Sequence, residues 1–215
     1  MELFLVRHGQ SVGNTEPDLD MPDSPLTAKG KEQAGLVARY LLNKGITAIY
    51  SSPLIRAMQS AQPLANLLGY PIHVMKALYE VREGSPYEGP SRQALTELVP
   101  EALFDDLIEE EGWICPGGDL PETSKLRAQA ALHQLQLSGE ERIAVFCHGM
   151  FNEYVIREAL GIGSERIRFI QENTGVNHFI IHKQAIEVLK INDTVHLQLK
   201  TDVRRDCSAN EIEYG

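Results

Sequence analysis

A chain of 215 residues can bury one substantial core, which excludes a bare peptide motif and fits a single domain spanning 1–215. Apolar residues at 43% and charged residues at 23% lie near globular averages, so disordered and fibrous classes are excluded as well. The formal net charge of -10 argues against a broad electrostatic footprint for nucleic acid or anionic membranes, so any anionic ligand has to be held by a local cluster.

Residues 2–6, ELFLV, form an apolar run that ends abruptly at Arg7-His8-Gly9, the pattern of a buried strand delivering polar groups at its C-terminal end. A polar loop follows through Pro25. Thr27 then caps a helix whose apolar positions Ala34, Val37, Ala38 and Leu41 recur at helical spacing and which Gly45 stops. Ile46–Tyr50 reads as a second strand leading to Ser51-Ser52, with Pro53 placed to open a helix through about Leu68. Ile72–Met75 is a short third strand. From about 80 to 139 the pattern turns helical and irregular, broken by Pro86, Pro90, Pro100, Pro116 and Pro121, and reads as an inserted cap over the sheet edge. Arg142–Phe146 is another compact strand, leading into Cys147-His148-Gly149 and a helix with Tyr154, Val155 and Leu160 spacing. Asn177–His182 and Ala185–Ile191 read as paired strands turning at Lys183-Gln184, antiparallel at the edge, and the last dozen residues as a charged tail.

No run approaches the roughly 20 apolar residues of a membrane span. The N-terminal MELFLVRHG lacks the features of a signal peptide, so the expected location is the cytoplasm, with no membrane partner. Cys115, Cys147 and Cys207 are odd in number, widely spaced and without a C-x-x-C pair, and read as reduced thiols in packing or surface roles.

Three strand ends present Arg7-His8, Ser51-Ser52 leading to Arg56, and His148, and the crossover rules for parallel sheets bring such ends to one edge. Guanidinium forks match phosphate oxygens, while imidazole serves as nucleophile or proton carrier near neutral pH. Phosphate is the expected guest.

The blocks LVRHGQS at 5–11 with Asn14, DSPLTAKGKEQA at 23–34, SSPLIRAMQSA at 51–61 and VFCHG at 145–149 occur in order, and together they resemble the phosphoglycerate mutase-like branch of the histidine phosphatase superfamily. LYEVREGSPYEG at 78–89 is similar to the family's block for the proton donor. The resemblance implies a three-layer α/β/α sandwich around a mainly parallel sheet, with an antiparallel edge strand and the small cap. It implies that His8 attacks phosphorus to give a phosphohistidine while Arg7, Arg56 and His148 hold the equatorial oxygens. Asn14 and the backbone near Gly9 complete the oxyanion contacts, and Gly9 and Gly149 permit close backbone approach. Glu80 matches the acid that protonates the leaving oxygen, with Glu83 as its rival. The implied partner is a small phosphomonoester, with no nucleic acid and no cofactor; oligomeric state is unmarked in the sequence.

A metal hydrolase is the competing chemistry, but no H-E-x-x-H and no Asp-rich cluster marks these strand ends, and paired arginines repel a divalent cation, so no metal is expected. Hydrolysis of small phosphomonoesters is thus the expected activity. Phosphoglycerate mutase is the alternative, and a non-catalytic phospholigand-binding module a further one, against which both the nucleophile and the acid positions are filled. His73, His133, His182 and His196 read as structural histidines, whereas His178, just after the turn Asn173-Thr174-Gly175, is allowed a contact with substrate. Tyr79, Tyr87 and Trp113 read as packing aromatics of the cap.

Overall fold

The computed structural model describes residues 1–16, 21–163 and 166–198. The expected charged tail and Cys207 lie outside the described residues. Nine strands and six α-helices follow in chain order among the described residues: β1 (Glu2–Arg7), α1 (Val12–Thr15), α2 (Ala28–Leu42), β2 (Ala48–Ser51), α3 (Ile55–Leu68), β3 (Ile72–Val74), β4 (Tyr87–Gly89), α4 (Arg92–Leu98), β5 (Ala102–Phe104), β6 (Trp113–Cys115), α5 (Pro121–Leu137), β7 (Arg142–Cys147), α6 (Gly149–Leu160), β8 (Val176–Ile181) and β9 (Ile186–Asp193). A 3₁₀ turn at Lys76–Leu78 follows β3.

The main sheet has the order β5-β3-β2-β7-β1-β8-β9. β5 through β1 are parallel, and β8 and β9 are antiparallel additions on the far side of β1. Leu3, Phe4, Leu5 and Val6 are all buried, because β1 is covered on both faces and its side chains alternate between them. Phe4 and Val6 join Val37, Leu41, Met58 and Leu64 of α2 and α3 in one core. Leu3 and Leu5 join Leu132, Leu135, Phe151 and Ile156 of α5 and α6 in the other. The result is a three-layer α/β/α sandwich.

Thr27 caps α2 as its sequence suggests, its hydroxyl accepting from the Gly30 amide at 3.0 Å. α3 starts two residues after Pro53, and its first amide is capped from a distance: Ile55 N donates to Asp23 Oδ1 at 2.7 Å. The stretch from about 80 to 139, expected as one cap, divides. β5 is hydrogen-bonded to β3 at the sheet edge, and α5 packs on the sheet beside α6, so both belong to the sandwich. The separate β4–β6 pair is what borders the functional residues. Among the described residues no helix is long and apolar enough to cross a membrane.

Adjacent order β2-β7-β1 brings three C-terminal strand ends together, and α2 passes close beneath the turn after β1. A Cβ on Gly30 would lie 2.0 Å from the Gln10 carbonyl oxygen, and one on Gly9 2.5 Å from the Gly30 oxygen. Two glycines therefore let helix and turn touch through backbone. Gly30→Ala is expected to lower stability by about 1–3 kcal/mol and to displace the His8 turn. Gly35→Ala on the same helix meets nothing within 4 Å and is expected to be neutral or stabilising. Urea unfolding of the two variants beside wild type checks the pair.

Candidate active site

His8 directly follows β1, with its amide donating to Cys147 O of the neighbouring β7. Its Nδ1 lies 2.7 Å from the Gly9 carbonyl oxygen, which can only accept, so Nδ1 carries the proton and Nε2 holds the lone pair. Arg56 Nε donates to that Nε2 at 3.3 Å. Burial, and next the Arg56 guanidinium, hold the imidazole well below the usual histidine range. The ring is neutral at physiological pH, with its nucleophilic nitrogen turned toward the guanidinium.

His148 closes β7 and caps α6. Its Nε2 is 2.7 Å from Ser52 Oγ, and that hydroxyl already accepts from Leu54 N at 3.2 Å. With the Ser52 proton given to Nε2, Nδ1–H becomes the outward donor, and it is buried with no partner among the described residues. Burial and Arg56 depress this imidazole as well. The two rings lie 5.2 Å apart.

Arg7 Nη1 donates to Gln171 O at 2.6 Å, while its buried Nε has no partner among the described residues. A Cβ on Gly149 would stand 3.3 Å from that Nε, so Gly149 makes room for the guanidinium. Arg56 is 9% exposed, held by Pro22 O at 3.0 Å and by Asp23 Oδ1 at 3.9 Å. Two guanidiniums and an imidazole N–H thus converge beside His8 Nε2, a donor set suited to the oxygens of a phosphoryl group.

Glu80 accepts from Phe151 N and Val81 N at 2.9 Å each, and interacts with both Arg7 and Arg56. Glu83 is exposed, and among the described residues no hydrogen bond or ion pair draws it to the site. Asn14 uses its Oδ1 to accept from Ser11 N at 3.1 Å and Asn173 Nδ2 at 3.2 Å, which turns its own amide donors outward. The backbone near Gly9 corrects an expectation. Gly9 N donates to Ser60 Oγ and Gln10 N to Gln33 Oε1, so those N–H groups are already taken; Gly9 serves through its carbonyl and its missing side chain.

His178 is also corrected. It stacks on Phe4 at 4.1 Å and pairs with Glu2 Oε1 at 2.8 Å, at the opposite end of β1 from His8. His196 meets Thr174 Oγ1, His182 meets Glu187, His73 lies against Tyr50, and His133 is exposed. Cys115 and Cys147 are buried free thiols, and burial pushes both up from the usual thiol range.

Sequence reasoning missed Asp23. Asp23 sits in the DSPLT block, but a lone Asp in a polar loop gave no sign that it would be buried behind Arg56. Arg82 lines a recess of about 70 Å³ with Pro22, Leu54, Val81, Tyr87, Arg56 and Glu80. A larger hollow of about 380 Å³ lies between α5 and α6, away from these residues. Tyr87 and Trp113 pack edge to face at 5.8 Å, and Tyr87 also donates to Asp23 Oδ2 at 3.4 Å. Among the described residues no three His, Cys, Asp or Glu side chains gather as a metal site.

The family model described as Histidine phosphatase superfamily (branch 1) matches residues 3–194. A relative from Hydrogenobacter thermophilus, named for phosphoserine phosphatase, is 28% identical over 201 residues, spanning 93% of this chain and 98% of its own. A GpmB protein of Yersinia enterocolitica, named for phosphoglycerate mutase, is 32% identical over 175 residues, spanning 75% of this chain and 76% of its own. The crystal structure of a phosphoserine phosphatase mutant from Entamoeba histolytica in complex with phosphoserine superposes with a TM-score of 0.66 at 25% identity, covering 91% of this chain and 98% of that one.

Burial raises the Asp23 carboxyl to about 6, against the pull of Arg56 and the Ile55 amide. The ionised carboxylate that pairs with Arg56 is therefore lost as pH falls through about 6. Activity is expected to decline there in wild type and to lose this limb in Asp23→Asn, at a lower plateau. Comparing kcat/KM profiles of the two proteins on one substrate isolates the effect, since substrate ionisation is common to both.

Proposed function

The chain belongs to the histidine phosphatase superfamily, and we propose that it hydrolyses small phosphomonoesters through a phosphohistidine formed on His8. The observation that carries this reading is the neutral His8 ring, with Nδ1 bound to the Gly9 carbonyl and Nε2 presented beside Arg56. Nε2 attacks phosphorus in line and the ester P–O bond breaks. Arg7, Arg56 and His148 Nδ1 hold the equatorial oxygens, with Asn14 at the rim, so catalysis is chiefly positioning and charge stabilisation. Glu80 acts here in its protonated form, giving the proton to the departing alkoxide oxygen and becoming the carboxylate that faces the arginines. It then takes one from the water that attacks the phosphohistidine, and inorganic phosphate leaves. Glu80 is preferred to Glu83 because its carboxylate alone of the two lines the recess beside Arg56.

Transfer of the phosphoryl group to water, and not back to the substrate, is supported by the charge of the cap segment. A mutase has to hold a carboxylate and two phosphates while excluding water. Of the four basic residues between 80 and 139, Arg92 is bound to the Ile108 and Asp105 carbonyls, Arg127 is buried against Asp119, and Lys125 lines the hollow between α5 and α6. Only Arg82 borders the recess. A single cap cation beside a small recess suits a short leaving group with one carboxylate. The phosphoserine bound to the Entamoeba histolytica protein is of that size and kind.

His8→Ala is expected to abolish turnover with an unchanged circular dichroism spectrum. Rapid quench of wild type should trap acid-labile, base-stable phosphate on the protein, and label persisting in folded His8→Ala would remove His8 from the role. The GpmB relative keeps mutase in view as the second reading. With 3-phosphoglycerate primed by 2,3-bisphosphoglycerate, free phosphate is expected to accumulate faster than 2-phosphoglycerate; isomerisation running orders of magnitude ahead would make mutase the activity.

A further inference from the structure

The peptide that carries Glu80 is gripped on both sides by a buried ion pair outside the phosphate-binding residues. Arg127 of α5 donates through Nη1 to Tyr79 O at 2.5 Å and to Ala77 O at 3.2 Å. Its Nη2 meets Asp119 Oδ2 at 3.2 Å, and the same oxygen accepts from Arg82 N at 3.0 Å. Asp119 N in turn donates to Arg82 O at 2.9 Å. Residues 79 and 82, which flank Glu80 and Val81, are thus tied to one guanidinium–carboxylate pair whose side chains are 12% and 5% exposed.

The Arg127 guanidinium also lies 3.6 Å from the Tyr79 ring centroid and 4.2 Å from that of Phe151. Phe151 is the residue whose amide donates to Glu80 Oε1. One side chain therefore braces the carbonyl before Glu80, the ring before Glu80, and the residue that binds its carboxylate. A planar fork with several donors is suited to this, and a flexible ammonium can replace only part of it.

We infer that the Arg127–Asp119 pair positions Glu80 for its proton transfers, to the leaving group first and from water afterwards, making both side chains positioning residues for the acid. The inference rests on the reading of Glu80 as the acid. A carboxyl displaced by about an ångström loses most of its effect, because general acid catalysis needs hydrogen-bond reach to the departing oxygen. Attack by His8, the arginines on the phosphoryl group and the release of an already good leaving group do not need that reach.

The test compares an alkyl phosphate, β-glycerophosphate, with 4-nitrophenyl phosphate, whose leaving group needs little protonation. The proteins are wild type, Glu80→Gln, Arg127→Met, Arg127→Lys, Asp119→Asn and the double variant Glu80→Gln/Arg127→Met, with thermal unfolding run alongside. Arg127→Met is expected to lose about tenfold or more in kcat/KM on the alkyl ester and to change little on the nitrophenyl ester; kcat/KM covers only the steps through leaving-group release, so the water step shared by both esters does not enter the comparison. Asp119→Asn should show the same selectivity more weakly, Arg127→Lys should restore part of the alkyl rate, and the double variant should be no slower than Glu80→Gln. If Arg127→Met does not fold, Asp119→Asn and Arg127→Lys carry the comparison. Equal losses on both esters in the folded variants, or additive losses in the double variant, with Glu80→Gln still selective, would overturn the positioning role and leave Glu80 in place. A Glu80→Gln variant equally slow on both esters would instead sink the acid assignment and the positioning inference with it.

Discussion

Two guanidiniums are buried beside two imidazoles that have to stay uncharged, and removing that much positive charge from water is costly unless protein oxygens replace the solvent. Each replacement comes from a different part of the chain. Gln171 O takes Arg7, Pro22 O and the Asp23 carboxylate take Arg56, the Gly9 carbonyl takes His8, and the Glu80 carboxylate faces both arginines. Arg7 Nε and His148 Nδ1 keep donors that no described residue answers. The same positive field that holds both rings neutral is what a phosphate dianion relieves, so ligand affinity and nucleophile protonation have one electrostatic origin.

The sheet serves this arrangement through its order. Placing β7 between β1 and β2 brings His148 between the groups delivered by the other two strands, and parallel pairing puts all three at their carboxyl ends. The layer of α5 and α6 supports Glu80, the proposed acid, which is bound by an α6 amide and whose peptide rests on α5. The opposite layer, α2 and α3, carries the phosphate side, through the Gly9–Gly30 contact and through Arg56 itself. In the proposed mechanism the phosphate-holding groups and the acid are thus supported by opposite layers of the sandwich.

Much of this was legible in the residues. ELFLV before Arg7-His8 and RIAVF before Cys147-His148 are apolar runs that stop at polar groups, and a strand buried on both faces has no other simple pattern. Local order was less legible where it depends on distant partners. The three-residue β5, ALF, is set in an acidic, proline-broken segment, and only its pairing with β3 makes it a strand. Polar side chains interrupt the apolar stripe of α5, so its place in the sandwich rests on Ala128, Ala131, Leu132 and Leu135 finding the far face of the sheet. Asp23 was invisible for a similar reason, since its burial is decided by α3 and Tyr87 and not by its neighbours in sequence. The role of His178 stayed open in the sequence because a turn close to the strand ends is followed by a strand running away from them.

In the proposed mechanism the hydrogen bond from His8 Nδ1 to the Gly9 carbonyl would also govern the second half of the reaction. Once Nε2 carries phosphorus the ring is cationic, and the Nδ1 proton is what the carbonyl then stabilises most strongly. Yet the burial and neighbouring guanidiniums that weaken this ring as a base also make it the better departing group from phosphorus. A phosphohistidine formed there would be poised to transfer its phosphoryl group onward, with its lifetime set by how soon a water molecule reaches the face of phosphorus opposite the ring.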